Sequence, residues 1–498
     1  MQNRFTTTRE KKIAMNDSPA SFLWHDYETF GADTRRDRPA QFAALRTDME
    51  LNPIGEPDVF YCQPADDMLP QPEACLITGI TPQAASDRGI PENAFAARVH
   101  ALLSQPGTCS VGYNNFRFDD EVTRFLFWRN FFDPYAREYS NGNSRFDLID
   151  LMRMTRALRP EGLQWPQRDD GSPSFRLEDL AAANGMDTSR AHDALADVEA
   201  TLGMARLVKQ HQPRLWNWAL SLRQKHVVAG LLSRGEPLLH SSSRLPASLF
   251  ATAPVLPLAP HPSFAGQWIV WNLNVDPAPF MDRSDEELID LMWTPAADLP
   301  EGEERLPIKL VRSNRCPMLS PLNVLDASSR KRLQIDPDAM QRRTAHLRGD
   351  TGFIERLTQL FTNTGPTAAD AELALYDGFI PRPDQAVMAK VRSLDAEELA
   401  RLGQPFQDER LNELLFRYRA RLHPHSLTEE EREQWRHWRQ RRLVDDPDLA
   451  SIRWPEYQAC IRALMQARPD RIDLLTELMA WSDGLGLSAT APNEDSIT

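Results

Sequence analysis

Apolar residues near the start of the chain fall in short runs of strand length: Phe22-Leu23-Trp24, Val59-Phe60-Tyr61-Cys62 and Cys109-Ser110-Val111-Gly112-Tyr113. Between and after them the period changes. Asn93 to Leu103 carries apolar side chains at helical spacing, and helices are predicted over Asp120–Phe131, Leu148–Leu158, Leu177–Asn184 and Ala191–Lys209. Strands first and interleaved helices afterwards predict an α/β domain with a mixed sheet over residues 21–212. At Pro213 the texture changes. A Pro-rich passage from Pro254 to Pro262 precedes β-like runs at Trp268 to Val275 and Ile308 to Arg312, which predicts a small β-rich domain with peripheral helices over 213–361. Thr362 to Asp370 reads as a linker, and residues 371–485, rich in Leu, Glu and Arg, as a helical domain. Residues 1–20 and the last dozen residues, ending in Asn493 to Thr498, are expected to be loose tails.

Composition bounds what such a chain can do. Its 498 residues are too many for one core, and 41% hydrophobic with 26% charged residues is a globular balance. Cys62, Cys75, Cys109, Cys316 and Cys460 are scattered, with no C-x-x-C pair. That spacing reads against a disulfide framework and a zinc site, and toward a reducing cytoplasm. No apolar stretch approaches the ~18–20 residues that cross a bilayer, so no membrane is expected. The polar, basic N-terminus lacks the apolar core of a secretory signal, and Met15 is a second candidate start. A net charge of −14 argues in bulk against a nucleic-acid partner, because phosphates repel carboxylates. An enzyme of this balance acting on nucleic acid must concentrate Lys and Arg locally, or hold cations with its acids.

Three carboxylate patterns bear on that choice. In Trp24-His25-Asp26-Tyr27-Glu28-Thr29, strand alternation points Asp26 and Glu28 the same way. A hard divalent cation would relieve their repulsion, although Asp-x-Glu alone is met more often at a solvated strand end. In Gly112 to Glu121 an apolar run turns through Asn residues into a helix with Asp119, Asp120 and Glu121 in its first turn, where acids also complement the helix dipole. Third, His192 lies just before a predicted helix and Asp197 about one and a half turns along it, so the two can flank one cleft. Capping or packing is the commoner role of a lone His at such a place, and Asp193 reads as a first-turn charge.

Each pattern is weak alone, but their order is distinctive. Asp-x-Glu on the first strand, Asn-x-x-Phe-Asp in the middle and His-x-x-x-x-Asp at a helix start resemble the DEDDh exonucleases, which include proofreading subunits, oligoribonucleases and bacterial exonuclease I. His25 to Gly31, Asp37 to Ala44, Gly112 to Arg124, Pro173 to Glu178, Ala374 to Phe379 and Phe416 to Arg421 are similar to the exonuclease I family in particular, over most of the chain. The resemblance implies a ribonuclease H-like exonuclease domain with a mixed sheet, then a small β-rich SH3-like domain and a C-terminal helical domain. It implies Asp26, Glu28, Asp119 and Asp197 as metal ligands and His192 as the base, with Asn115 and Phe118 in the motif positions ahead of Asp119. The cofactor it implies is Mg²⁺, two per site, with Mn²⁺ as an alternative.

Phosphodiester hydrolysis needs an activated water, neutralised phosphoryl charge and a stabilised 3′-oxygen, and two metals roughly 3.5–4 Å apart supply all three. The working assignment puts Asp26, Glu28 and Asp197 on the metal that activates water. Asp26 bridges to a second metal, with Asp119 nearby or acting through water. His192 accepts the proton, since an imidazole titrates near ~6.5 in water. The expected products are 5′-mononucleotides.

Glu28, Arg124, Tyr135, Arg153, Arg159, Arg176 and Lys225 are the expected strand contacts, with Arg223 beside Lys225. Arg153, Arg156 and Arg159 recur along one helix side, as they would on a solvated face. Arg176 resembles the family's substrate-contacting arginine. Tyr135, Trp216 and Trp218 are candidates for base stacking, with core packing the equal alternative for the two tryptophans. Arg417 to Arg421 and Trp435 to Arg442 interleave aromatic and basic residues, as a nucleic-acid groove does and as a charged amphipathic helix also does.

The resemblance further implies a cytoplasmic, monomeric 3′→5′ exodeoxyribonuclease of repair and recombination. Its partners would be single-stranded DNA and the acidic tail of single-stranded DNA-binding protein. Two alternatives stand beside it. An RNA-trimming exonuclease of the superfamily is disfavoured by the long chain beyond the first domain, and a catalytically silent binding module by the presence of all five catalytic residues.

Overall fold

The computed structural model describes residues 20–295, 297–362, 367–368 and 370–487. The expected N-terminal tail, most of the linker and the last residues lie outside them. The chain divides into two compact units: one from Met1–Ser144, Arg190–Glu199 and Pro366–Thr498, the other from Arg145–Ser189 and Ala200–Gly365.

In the first unit β1 (Ser21–Thr29) pairs antiparallel with β2 (Pro39–Thr47), and β3 (Asp58–Tyr61) flanks β2. On its other side β1 pairs parallel with β4 (Thr108–Gly112), so the sheet is mixed. Phe22, Leu23 and Trp24 are each at most 1% exposed, which explains why β1 opens as a continuous apolar run without alternation. Leu23, Tyr27, Phe42 and Phe60 from the sheet pack with Phe95 and Val99 of helix Glu92–Leu103, and with Val122 and Leu126 of helix Asp119–Arg129. Each such side chain contributes about 1.5–3 kcal/mol when fully buried. β2 has no counterpart among the predicted strands. It opens on Pro39 and carries Ala40, Ala43 and Ala44, residues of low strand propensity, yet its residues are almost all buried.

The C-terminal helices share cores with this sheet domain. Phe30, Met68 and Cys75 pack with Tyr457, Ile461 and Leu475, while Phe125, Trp128 and Phe131 pack with Met388, Leu411 and Tyr418. A buried ion network joins the same segments. Glu372 accepts from Arg38 at 2.8 Å and Arg442 at 3.0 Å, and Arg417 donates to both oxygens of Asp370 at 2.8 Å. Arg421 grips Asp67 and Glu372 together. The interleaved basic and aromatic residues here are therefore not an open groove. Arg417 and Arg442 are 1% and 2% exposed, and the Arg417 guanidinium lies 3.4 Å from the Trp438 ring centroid.

β5 (Ser144–Asp147) carries the chain into the second unit. There β6 (Leu238–Ser241), β7 (Thr252–Pro260), β8 (Gln267–Asn272), β9 (Ile308–Arg312) and β10 (Met318–Pro321) form an antiparallel sheet in the order β10-β6-β7-β8-β9. The Pro-rich passage is thus the central strand. Pro257 sits at a register shift and Pro260 ends the strand, where the ladder is interrupted, while Pro254, paired with Leu239 of β6, still accepts the Leu273 N–H at 2.8 Å. Trp271 and Leu256 pack beneath Leu288, Leu347 and Phe353. Trp216 is a core residue, 1% exposed and edge-on to Phe146, while half-buried Trp218 donates to the Leu319 carbonyl at 2.8 Å. No helix among the described residues is long and apolar enough to cross a membrane.

Candidate active site

Asp26 and Glu28 leave the same face of β1, opposite Ala43 and Gln41 of β2. Helix Ala194–His211 brings Asp197 to them in its first turn. One ligand oxygen from each of Asp26, Glu28 and Asp197 lies within 4.8 Å of the other two, and Glu28 is buried. Three carboxylates at that separation form a donor set suited to a hard divalent cation. Asp119, at the start of helix Asp119–Arg129, is 2% exposed and stands outside that trio. Its Oδ1 accepts the Tyr27 backbone N–H at 3.1 Å, which ties it to β1 between the two strand carboxylates.

The helix carrying Asp197 starts at Ala194, later than the predicted Ala191, because Asp193 caps it by accepting the Ala196 N–H at 3.1 Å. Asp193 is thus a cap. His192 is exposed on the preceding turn, with φ 67°, a left-handed conformation that costs an ordinary side chain of order 1–3 kcal/mol.

Burial, and then the neighbouring charges of Asp119, Glu28 and Asp197, hold the Asp26 carboxyl well above the usual carboxylate range. Glu28 is pushed up to about 9 by burial and then by Asp197, Asp119 and Asp193. Without a cation the folded site therefore retains protons that the unfolded chain has released. That advantage is full below the ordinary value of 4.5 and is lost as pH rises toward about 9. Cation binding is expected to expel these protons. Calorimetric titration with Mg²⁺ in buffers of different ionisation enthalpy should show proton release, and the melting-temperature gain from Mg²⁺ should be larger at pH 8.5 than at pH 6.

The turn from β4 to Asp119 depends on Gly112. A Cβ there would meet Asn115 Cβ at 2.8 Å and the His25 carbonyl at 3.1 Å. Gly112→Ala is expected to displace the turn, costing about 1–3 kcal/mol of stability and on the order of tenfold in kcat, as read by thermal melting and turnover.

The remaining expected residues are dispersed. Arg124 is buried in the first unit, bonded to Glu138 and Glu121 at 2.8 Å each and placed over the half-buried Tyr135 ring. The others belong to the second unit. Arg153 is bonded to Asp150 at 2.5 Å, and Arg156 stacks near Trp165 and Phe250. Arg159 donates to the Val324 carbonyl at 2.8 Å. These three are therefore anchored, Arg153 by burial and Arg156 and Arg159 while half-buried. The Arg176 side chain is 65% exposed beside Glu178, and Lys225 is exposed at the start of helix Lys225–Leu232. Sequence reasoning missed Asp120. It lies in the first turn of its helix, as expected, but is also a fully buried partner of Arg137, and no periodicity signals that pairing.

Three family models match the chain in succession: exonuclease over residues 23–204, Exonuclease I SH3-like domain over 223–363 and Exonuclease I C-terminal domain over 369–485. Exodeoxyribonuclease I of Escherichia coli (strain K12) is 44% identical over 475 residues, 94% of this chain and 99% of that protein. The chain belongs to the exonuclease I family. It is accordingly an exodeoxyribonuclease, with the exonuclease, SH3-like and helical parts of that family. A moderately thermophilic Exonuclease I from Methylocaldum szegediense superposes with TM-score 0.89 at 48% identity, covering 94% of this chain and 99% of that one. E. coli Exonuclease I in complex with a dA16 oligonucleotide gives TM-score 0.89 at 43% identity, covering 94% and 100%. Exonuclease I structures with the same coverage include a zinc-ion-bound E. coli complex with ssDNA, at TM-score 0.88 and 43% identity, and an SSB/Exonuclease I structure with the inhibitor CFAM, at 0.86 and 42%.

Proposed function

We infer that the chain removes nucleotides one at a time from the 3′ end of single-stranded DNA, releasing 5′-mononucleotides, in the repair and recombination of a bacterial cytoplasm. The observation that carries this reading is the convergence of the Asp26, Glu28 and Asp197 carboxylates within 4.8 Å on a buried strand, in an exonuclease I family member. In this reading Asp26, Glu28 and Asp197 hold one Mg²⁺. Asp26, with Asp119 nearby or acting through water, serves a second, and Mn²⁺ is an alternative. When bound, the cations neutralise phosphoryl charge, ease deprotonation of the attacking water and stabilise the departing 3′-oxygen. His192, exposed on the turn before helix Ala194–His211, accepts the water's proton in this reading. Glu28 contacts the terminal nucleotide; of the expected strand contacts Arg124, Tyr135, Arg153, Arg159, Arg176 and Lys225, the arginines Arg124, Arg153 and Arg159 are already engaged within their own units. Arg176 and Lys225 are the exposed cations among them. The protein acts as a monomer, and single-stranded DNA-binding protein docks through its acidic tail; an SSB/Exonuclease I structure supports the choice of that partner.

The test is digestion of a 5′-labelled single-stranded DNA in Mg²⁺ or EDTA, beside RNA of matched sequence. Stepwise 3′ shortening of the DNA in Mg²⁺ alone is expected. Shortening of the RNA with intact DNA would transfer the chain to RNA trimming, since the 2′-hydroxyl distinguishes the substrates. Tight DNA binding without digestion would make it a silent binding module.

A further inference from the structure

We propose that Arg137 and Asp120 form a positioning brace that sets Asp119 for metal binding, through the helix start they anchor. The pair is fully buried, with Arg137 Nη2 and Asp120 Oδ1 2.5 Å apart. Arg137 is itself fixed to β4. Its Nη1 reaches Ser110 Oγ at 3.4 Å, and its carbonyl accepts from Asn143 Nδ2 at 3.3 Å, while Asn143 Oδ1 accepts the Thr108 N–H at 3.0 Å. Asp120 follows Asp119 in the first turn of helix Asp119–Arg129. The same turn is pinned to β1 from its other side. Tyr27 OH and Thr123 Oγ1 share a hydrogen bond of 3.0 Å, and Thr123 Oγ1 donates to the Asp119 carbonyl at 2.7 Å. The helix start is thus held by two strands, and the Asp120–Arg137 pair is its charged link to β4.

A buried ion pair is weak evidence for stability, since an apolar pair of similar volume often serves as well. What it supplies here is a fixed link: the planar guanidinium donates through Nη2 to Asp120 Oδ1 while its Nη1 reaches Ser110 Oγ, so it ties the helix start to β4. Neither residue touches the cation in this reading, so their role is positioning, and it rests on the two-metal assignment above.

Arg137→Ala alone would leave the buried Asp120 carboxylate without its guanidinium, so the informative protein is the double variant Asp120→Leu/Arg137→Met, with Arg137→Lys as the conservative comparison. The double variant is expected to keep its circular dichroism spectrum and melting temperature. Its half-saturating Mn²⁺ concentration should rise on the order of tenfold by calorimetry, and its kcat should fall about as much, with KM for an oligonucleotide unchanged. Arg137→Lys should fall between it and the natural protein. A double variant with the natural Mn²⁺ titration and kcat overturns the brace, and so does one that fails to fold, because the pair would then be an element of stability. Failure of the natural protein itself to bind Mn²⁺, or binding untouched by Asp26→Asn, would instead overturn the metal assignment.

Discussion

Asp26→Asn is expected to lower kcat on the order of 10⁴-fold and, in the same protein, to raise the melting temperature measured in EDTA at pH 8. The two effects have one cause. Burial withholds the water that would screen Asp26, and the Asp119, Glu28 and Asp197 carboxylates all repel its charge. In the proposed site a cation would turn that repulsion into binding, so removing one carboxylate would remove one of its ligands. Without the cation the same carboxylate is a liability, and a neutral amide of nearly equal volume relieves it. The relief should grow from pH 6 to pH 8.5, as Glu28 gives up its proton, and should vanish when Mg²⁺ saturates the natural protein. Turnover within tenfold of the natural enzyme would sink the ligand assignment. An unchanged melting temperature in EDTA would show that the carboxylates are not in electrostatic conflict.

The candidate site was legible in the sequence because its chemistry follows local rules. Asp26 and Glu28 are two apart on a strand, so alternation alone brings them together, and Asp197 is one helical turn past the cap that starts its helix. The fold was legible where packing and propensity agree, as at Leu148–Leu158, a helix predicted and found with the same bounds. It was not legible where tertiary packing overrides propensity. Ala40, Ala43 and Ala44 make a poor strand by composition but fit β2 into a site buried on both faces. β7 hides behind prolines that the interrupted ladder tolerates. The basic side chains of 417–442 were open to two readings for a different reason. Composition says that guanidiniums are present but not that Asp67, Asp370 and Glu372 are waiting for them, and such long-range pairing has no sequence period.

That pairing leads to the second large effect: Glu372→Gln is expected to cost about 3–5 kcal/mol, a fall on the order of 10 °C in melting temperature. The Glu372 side chain is 1% exposed and faces Arg38, Arg417, Arg421 and Arg442. Its neutral amide would leave those guanidiniums to share Asp67 and Asp370 in a site closed to water. The network also has a pH signature opposite to that of the metal site. Burial alone would raise Glu372 and Asp67, but the Arg38 and Arg421 guanidiniums overcome it and hold both carboxyls below the usual range. Groups lowered on folding stabilise fully above their unfolded values of roughly 4, and lose that contribution as pH falls below them. Glu28, raised on folding, has the reverse slope between 4.5 and about 9. In EDTA the melting temperature should therefore peak in mildly acidic solution and decline on both sides, each limb owned by a different carboxylate cluster. Glu372→Gln should flatten the acid limb and leave the alkaline one, and Asp26→Asn should do the opposite. Melting curves of the three proteins from pH 3.5 to pH 9 separate the contributions, and an acid limb unchanged in Glu372→Gln would mean that other carboxylates, not this network, set the protein's sensitivity to acid.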